Sequence, residues 1–179
     1  NKFKYLANCY DDQLRDESYF IFSNICAGTE KQIQAVIDTD LFDDFQNKLQ
    51  DWSLGFKVSK DIFFSISNAI LNGTVEQIGH LSQQNVTYSI FKFIQRNNFE
   101  QNNNNGDGHK EEDMAMIVLR ALQTIEKIVF SIDPVLAKQI MDKCGGVAIL
   151  NQLYFKQEYQ TSSIQDILTM LIQFCANTN

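Results

Sequence analysis

The chain has 179 residues, of which 44% are hydrophobic, and its formal net charge at pH 7 is −7. That apolar content is enough for one continuous core in a domain of ordinary size. The acidic balance argues against nucleic acid as a partner, because nucleic-acid-binding proteins usually present a basic face. It favours a cationic partner if the carboxylates are clustered, although most acidic surfaces are only solvated.

Several other classes of protein have little support in the sequence. No apolar run approaches the roughly 20 residues that a membrane-spanning helix needs, so we expect no membrane association. The four cysteines form no CxxC pair and no secretory signal opens the chain, which predicts reduced thiols. His80 and His109 belong to no recognised metal-ligand motif, and no Gly-rich phosphate loop is present. We therefore expect no catalysis, no metal and no cofactor.

The first part of the chain predicts short and long helices in alternation. A partial helix is expected over 2–10 and a longer one over about 14–27. Gly28 is a natural helix stop. Thr29 is a plausible N-cap for a short helix over 30–38.

Apolar spacing then predicts a full cycle of short, medium and long helices. A medium amphipathic helix is indicated by apolar residues at spacings of one, three and four: Leu41, Phe42, Phe45 and Leu49. A long helix completes the cycle by about residue 71. The cycle then runs again, with Thr74 capping a short helix to about residue 82. The packing residues of the next helix, which ends near residue 96, are Tyr88, Phe91 and Ile94.

Residues 97–112 interrupt the helical pattern. They include four consecutive Asn, one aromatic and no aliphatic residue, so burial cannot offset the entropy of ordering them. We expect a disordered loop without a function of its own. A strongly apolar helix is predicted over 113–131, and Asp133 and Pro134 begin another short helix. Two final helices are predicted over 147–155 and 164–174.

Two segments of the chain repeat each other. Asn24 and Asn68 are 44 residues apart, and Gly28 and Gly73 are 45 apart. A helical period in the forties is typical of armadillo and HEAT solenoids, in which no single repeat buries its own apolar face. We predict an all-α armadillo-repeat right-handed superhelical solenoid that forms one domain over 1–179. Its predicted parts are a partial repeat over about 1–28, full repeats over 29–72 and 73–131 (with the insert 97–112), and a terminal repeat over 132–179.

A carboxylate, an aromatic ring and an Asn recur at positions i, i+3 and i+7 of the two repeated long helices. The two sets are Glu17, Phe20 and Asn24, and Asp61, Phe64 and Asn68, and the adjoining Ser23 and Ser67 complete the candidate peptide-binding residues. These offsets place each set on one helix face. Asn side chains can pair with an extended peptide backbone, and aromatic rings can flank a Lys or Arg stem whose charge the carboxylates meet. The alternative is that the rings are core residues and the amides only face solvent.

These residues carry a resemblance to a known family. Residues 20–38 and 60–68 resemble the C-terminal half of importin-α (karyopherin-α), the armadillo adaptor for nuclear localisation signals (NLS). Cys144-Gly-Gly146 before an apolar helix resembles the start of that family's last repeat. The similarity extends over the whole chain except 97–112.

The resemblance implies that the two long helices form the family's minor cargo site. The Trp-x-x-x-Asn motif falls on Phe20 and Asn24 and on Phe64 and Asn68, and the acidic partners fall on Glu17 and Asp61. Phe in place of both Trp should weaken cation binding by something like 1 kcal/mol per site. Thr124 occupies the corresponding Asn position of the third long helix, which suggests that the groove ends there.

The resemblance also implies partners and a setting for the chain. It predicts basic NLS-containing cargo peptides, with an exportin and nucleoporin docking surface on the last repeat, where Asp142, Lys143 and Glu158 are candidates. Importin-β would bind through an N-terminal basic segment that this sequence lacks. We therefore expect a fragment of a longer import adaptor, located in the cytoplasm and nucleus. The alternative is an importin-α-like scaffold that no longer binds localisation signals.

Overall fold

A computed structural model describes residues 2–51, 53–100 and 111–177, and their side chains except those of 99–100 and 111–113. In this part of the chain the regular structure is helical. The α-helices are α1 Lys2–Ala7, α2 Asp12–Cys26, α3 Glu30–Ile37, α4 Leu41–Leu49, α5 Phe56–Asn72, α6 Val75–Gln83, α7 Val86–Gln95, α8 Glu111–Ser131, α9 Pro134–Lys143, α10 Gly146–Tyr154 and α11 Ser162–Asn177. A π-helical turn, Arg96–Glu100, follows α7, and a 3-10 turn, Gln157–Tyr159, follows α10.

The three predicted N-caps are confirmed, and the same capping box recurs one period apart. The Thr29 hydroxyl accepts from the N–H of Gln32, whose side-chain oxygen accepts from the N–H of Thr29 at 2.8 Å. Thr74 and Gln77 form the same capping box at α6. Asp133 caps α9 by accepting from two backbone N–H groups, with Pro134 in its first turn. Each cap satisfies donors that a helix N-terminus otherwise leaves open.

A left-handed residue precedes the second helix of each three-helix cycle. The φ angles are +55° at Asp40 before α4, +51° at Asn85 before α7 and +63° at Gly145 before α10. Asp, Asn and Gly are the residue types that tolerate this conformation best. The three cycles α3–α5, α6–α8 and α9–α11 therefore have the same kind of turn between their first and second helices. The sequence pattern did not reveal this turn.

By compactness the chain divides into two units, 1–89 and 90–179. The core of the first unit is rich in aromatic rings: Tyr19, Phe22, Phe42 and Phe45 are almost fully buried, and neighbouring centroids lie 5.6–6.5 Å apart. Helix α2 packs along α5. The Tyr19 hydroxyl donates to the carbonyl of Ala7 at 2.8 Å, which fixes α1 to α2.

Side-chain amides link successive cycles inside the first unit. Asn68 on α5 donates from Nδ2 to the carbonyl of Ser23 on α2 at 2.9 Å. Gln77 on α6 donates from Nε2 to the carbonyl of Glu30 on α3 at 2.9 Å. The two pairs span 45 and 47 residues, which matches the period of the sequence repeat. The repeat therefore has a physical counterpart, in which α5 and α6 each bond to the equivalent helix one period earlier.

The second unit is built around α8, which packs with α9 and α11, while α10 packs on α11. The buried side chains of α8 include Ile117, Leu122, Ile125, Ile128 and Val129. Met116 is instead 51% exposed and Leu119 is half-buried, so not every apolar side chain of this helix packs in the core.

In the second unit, polar contacts join the π-helical turn after α7 to the segment that follows α10. The Lys156 ammonium donates to the carbonyl of Asn98 at 2.8 Å and lies over the Tyr159 ring, and the Tyr159 hydroxyl donates to the side-chain oxygen of Asn98. Burial raises the pKa of Tyr159 to about 12, so the hydroxyl keeps its proton at ordinary pH.

Helical structure extends into both ends of the predicted disordered insert, residues 97–112. Residues 97–100 belong to the π-helical turn, and Asn97 and Asn98 donate from their side chains to the carbonyls of Phe93 and Ile94. At the other edge, α8 already begins at Glu111. The remainder of the predicted insert, residues 101–110, lies outside the described residues. The predicted repeat boundaries and the single domain stay predictions.

Candidate peptide-binding surface

Helices α2 and α5 lie side by side and run in the same direction. At their N-terminal ends Lys57 lies 3.8 Å from Glu17, measured from Nζ to Oε1, and at their C-terminal ends Asn68 bonds to Ser23. These two contacts fix the register. The two predicted triplets therefore stand at matching heights on neighbouring helices.

The predicted residues differ in how far they reach the surface. On α2, Glu17, Phe20 and Asn24 are exposed. On α5, Phe64 and Asn68 are half-buried and Asp61 is 9% exposed. We call the surface defined by Glu17, Phe20, Asn24, Asp61, Phe64 and Asn68 the α2–α5 surface. Its α2 half is the more accessible to a ligand.

The two predicted amides have different surroundings. The Asn68 side chain is half-buried and already donates to the Ser23 carbonyl. Asn24 is exposed on the last turns of α2. Asn24 is therefore the amide that the surface presents, whereas Asn68 joins two helices, a role that the sequence motif did not suggest.

The two predicted serines lie inside the helix packing. Ser23 is 6% exposed and its hydroxyl donates to the carbonyl of Phe20 at 2.8 Å. Ser67 is fully buried. The Ser23 hydroxyl thus satisfies an acceptor of its own helix. The two serines can position the α2–α5 surface but do not form its outer face.

Aromatic and aliphatic groups give α2 an apolar strip. Phe20 is 53% exposed, and Ile21 and Leu14 on the same helix are 52% and 45% exposed. The Phe64 ring, in contrast, packs against Phe63 with centroids 5.4 Å apart. The repeated motif predicted the rings, but Ile21 and Leu14 were missed, although their spacing of seven residues was a usable signal.

The carboxylate of Asp61 lies in a mixed electrostatic environment. Burial is the largest influence and raises its pKa. The ammonium groups of Lys60 and Lys57 act in the opposite direction, and the carboxylates of Glu17 and Asp16 reinforce the rise. The nearby carboxylates thus oppose the ionisation of Asp61, and the two lysines favour it.

Lys57 is a member of this surface that sequence analysis missed. Both partners of its ion pair are exposed, Lys57 by 71% and Glu17 by 56% of their side-chain area. The first turn of α5 contains no acidic residue, whereas α2, α3, α4 and α6 each carry one or two there. An acidic first turn is the favourable arrangement, so the lysine in the first turn of α5 is not placed there by the charge preference of a helix start.

The remaining predicted positions are in the second unit. Thr124 is fully buried and donates to the carbonyl of Arg120 at 2.7 Å, so it presents no polar group at the surface. Asp142, Lys143 and Glu158 are exposed. Asp142 pairs with Lys138 at 2.6 Å, and no described feature gathers the three candidates into one site.

Outside the α2–α5 surface, a polar cleft of about 400 Å³ lies along α3 and α6. Its lining includes Asp38, Asp40, Glu76 and His80. Among the described residues no group of three or more His, Cys, Asp or Glu side chains is arranged to hold a metal ion. The described helices include none that is both long enough and apolar enough to span a bilayer.

The four cysteines are free thiols, of which three are buried and Cys144 is half-buried. Burial raises the pKa of Cys26 to about 12 and that of Cys144 to about 11. Since the thiolate is the reactive form, these two thiols are unreactive near neutral pH.

Comparison with solved structures assigns the fold. An engineered protein superposes with a TM-score of 0.54 at 15% identity over 98% of this chain, and the chain spans about half (47%) of that protein's length. A designed armadillo repeat protein, solved in complex with the peptide (KR)4, superposes with a TM-score of 0.52 at 18% identity, covering 97% of this chain and 80% of the other. No protein-family model matches the chain, and no curated protein is significantly similar in sequence. The chain has an all-α armadillo-repeat fold, as the period predicted.

Proposed function

We propose that this chain is a peptide-binding armadillo module of a nuclear import adaptor, and that the α2–α5 surface binds basic localisation peptides. The observation that carries the proposal is the parallel pair of helices with the same carboxylate, aromatic and amide triplet in matching register. The designed armadillo protein with a bound (KR)4 peptide supports it, because that ligand is also basic. The mechanism is non-catalytic.

Five side chains of the α2–α5 surface each have a task in this proposal. Asn24 offers donors and an acceptor to the backbone of an extended peptide. The rings of Phe20 and Phe64 flank the aliphatic stem of a Lys or Arg. Glu17 pairs with the charged head, and Asp61 adds negative potential from its buried position.

The wider setting of this function is also a proposal. The last repeat would dock an exportin and nucleoporins, and importin-β would bind a segment that is not in this sequence. Such a protein would work in both cytoplasm and nucleus. These proposals depend on the resemblance to importin-α in 20–38 and 60–68.

A second candidate function is a scaffold that shares this fold but does not read basic signals. Two observations favour it: the Asn68 amide is bonded to the Ser23 carbonyl, and Glu17 is paired with Lys57. Phe in place of Trp at both ring positions points the same way. Peptide binding distinguishes the two candidates.

The test is fluorescence anisotropy with a labelled bipartite basic peptide, at low and at physiological salt. Wild-type protein should bind, and binding should weaken as salt rises because the attraction is between partly exposed charges. The Asn24→Ala variant should bind several-fold to tenfold more weakly, since one or two hydrogen bonds are lost. Asn47→Ala, which removes an exposed amide from α4, is the matched control and should bind like wild type.

Two results would favour the scaffold instead. One is an absence of binding at low salt. The other is binding that Asn24→Ala and Asn47→Ala leave equally unchanged. Asn68→Ala is a poorer probe, because losing its bond to Ser23 also affects folding.

A further inference from the structure

We propose that Lys57 is a resident competitor for the cation of the peptide, so that ligand binding requires its displacement from Glu17. The inference rests on the proposed function, because it concerns the same surface. It starts from the ion pair between Lys57 Nζ and Glu17 Oε1, which are 3.8 Å apart. Glu17 is the most exposed carboxylate of the α2–α5 surface, and its partner is supplied by the chain itself.

The geometry suits an exchangeable contact. Both side chains are more than half exposed, and 3.8 Å is a loose ion pair. Measured contributions of exposed pairs to stability are close to zero, so breaking this pair costs little. A peptide ammonium or guanidinium group that arrives over Phe20 can therefore replace the Lys57 ammonium at Glu17.

The position of Lys57 in α5 argues against a role in helix stability. It is the second residue of the helix, where the partial positive charge of the N-terminus disfavours a cation. The N-cap residue, Gly55, makes no side-chain cap, so α5 begins without the support that Thr29 and Thr74 give to α3 and α6. The favourable contact that Lys57 makes is its ion pair with the Glu17 carboxylate on the neighbouring helix α2.

Lys57 also sets the local charge. Asp16, Glu17 and Asp61 stand near two lysines, Lys57 and Lys60, and Arg15 pairs with both Asp16 and Asp12, so the formal charge of these seven side chains is −1. Removing the Lys57 charge changes this to −2 and leaves Glu17 unpaired. Both effects favour a cationic ligand. The lysine would thus restrict the surface to peptides whose charge density is high enough to displace it.

The experiment compares the affinities of wild type, Lys57→Gln, Lys57→Arg and Lys138→Gln for a labelled (KR)4 peptide. Lys57→Gln should bind about two- to fivefold more tightly at low salt, and the difference should vanish at high salt. Lys57→Arg keeps the competing charge and should bind like wild type. Lys138→Gln is the matched control, because it removes a lysine from the ion pair with Asp142 on α9. Thermal melting checks that all four proteins are folded.

The outcomes separate this proposal from the function on which it rests. Binding by Lys57→Gln that equals or falls below wild-type binding overturns the competition and leaves peptide binding in place. A peptide that binds neither protein overturns both. A peptide that binds Lys57→Gln alone, or binds it more tightly while Lys138→Gln matches wild type, supports both.

Discussion

The chemistry of Asp61 depends on its burial. At 9% exposure its charged form is poorly solvated, and burial raises its pKa above the ordinary value of 3.8 despite two nearby lysines. A carboxyl whose pKa is raised on folding binds its proton more tightly in the folded state. Its favourable contribution is therefore complete below the ordinary value and is lost as pH rises through the folded pKa.

We predict that Asp61→Asn stabilises the protein at pH 7, because the amide removes a charge from a poorly solvated position. The advantage over wild type should shrink as pH falls through the raised pKa of Asp61 toward 3.8, since wild-type Asp61 then becomes neutral as well. Urea unfolding of both proteins across this range measures the difference. A variant less stable than wild type at pH 7 would contradict the assignment.

Gly145 adopts a left-handed conformation with φ of +63°, and a Cβ placed there would meet no atom within 4 Å. Substitution therefore tests the backbone conformation alone. We predict that Gly145→Ala lowers the free energy of unfolding by about 1 kcal/mol, because Ala disfavours this region. Urea unfolding is the measurement.

Gly79 supplies the matched control for that prediction. It lies inside α6, and a Cβ there also meets nothing within 4 Å. Gly79→Ala should stabilise by about 0.5–1 kcal/mol, since Ala is the better helix former. Gly145→Asn, which copies the residue at Asn85, should cost less than Gly145→Ala. Equal effects of Ala at both glycines would contradict the account.

At the scale of helices, local chemistry made most boundaries predictable. Thr29 and Thr74 stand before helices with Gln three residues on, and this spacing encodes a capping box without any tertiary information. The predicted start of the 97–112 insert was wrong, because composition cannot show that the side chains of Asn97 and Asn98 donate to carbonyls of the preceding turn.

The candidate site was predictable only in part. The periodicity identified which residues share a face, and it placed Glu17, Phe20 and Asn24 on an exposed one. It did not show which of the two amides bonds to a neighbouring helix. Asn24 and Asn68 occupy equivalent positions of the motif, and only the fold shows that Asn68 faces the Ser23 carbonyl of α2. The periodicity also missed Lys57, whose partner is 40 residues away in sequence.

We predict that Asn68→Ala lowers the free energy of unfolding by about 1 kcal/mol, because it removes the hydrogen bond from α5 to the Ser23 carbonyl. Asn24→Ala should change it by less than about 0.5 kcal/mol, as is usual for exposed positions. Chemical denaturation of both variants measures the two effects. Similar losses in both would show that the bond between the helices carries little energy.

At the scale of the whole molecule, net charge governs association between copies of the chain. The charge of −7 at pH 7 keeps molecules apart, and the isoelectric point is about 4.7. We predict that light scattering rises to a maximum near pH 4.7 and is low at pH 7. Circular dichroism at each pH should show retained helix. Scattering that is flat across this range would contradict the prediction.

The bonds from Asn68 to the Ser23 carbonyl and from Gln77 to the Glu30 carbonyl have a consequence for how such a chain can lengthen. The acceptors are backbone carbonyls, which every residue provides whatever its side chain. A tandem duplication cut at the left-handed residues Asp40 and Asn85 would carry both donors and fresh acceptors. The inserted repeat could then form the same two hydrogen bonds to the repeat before it, without any compensating substitution.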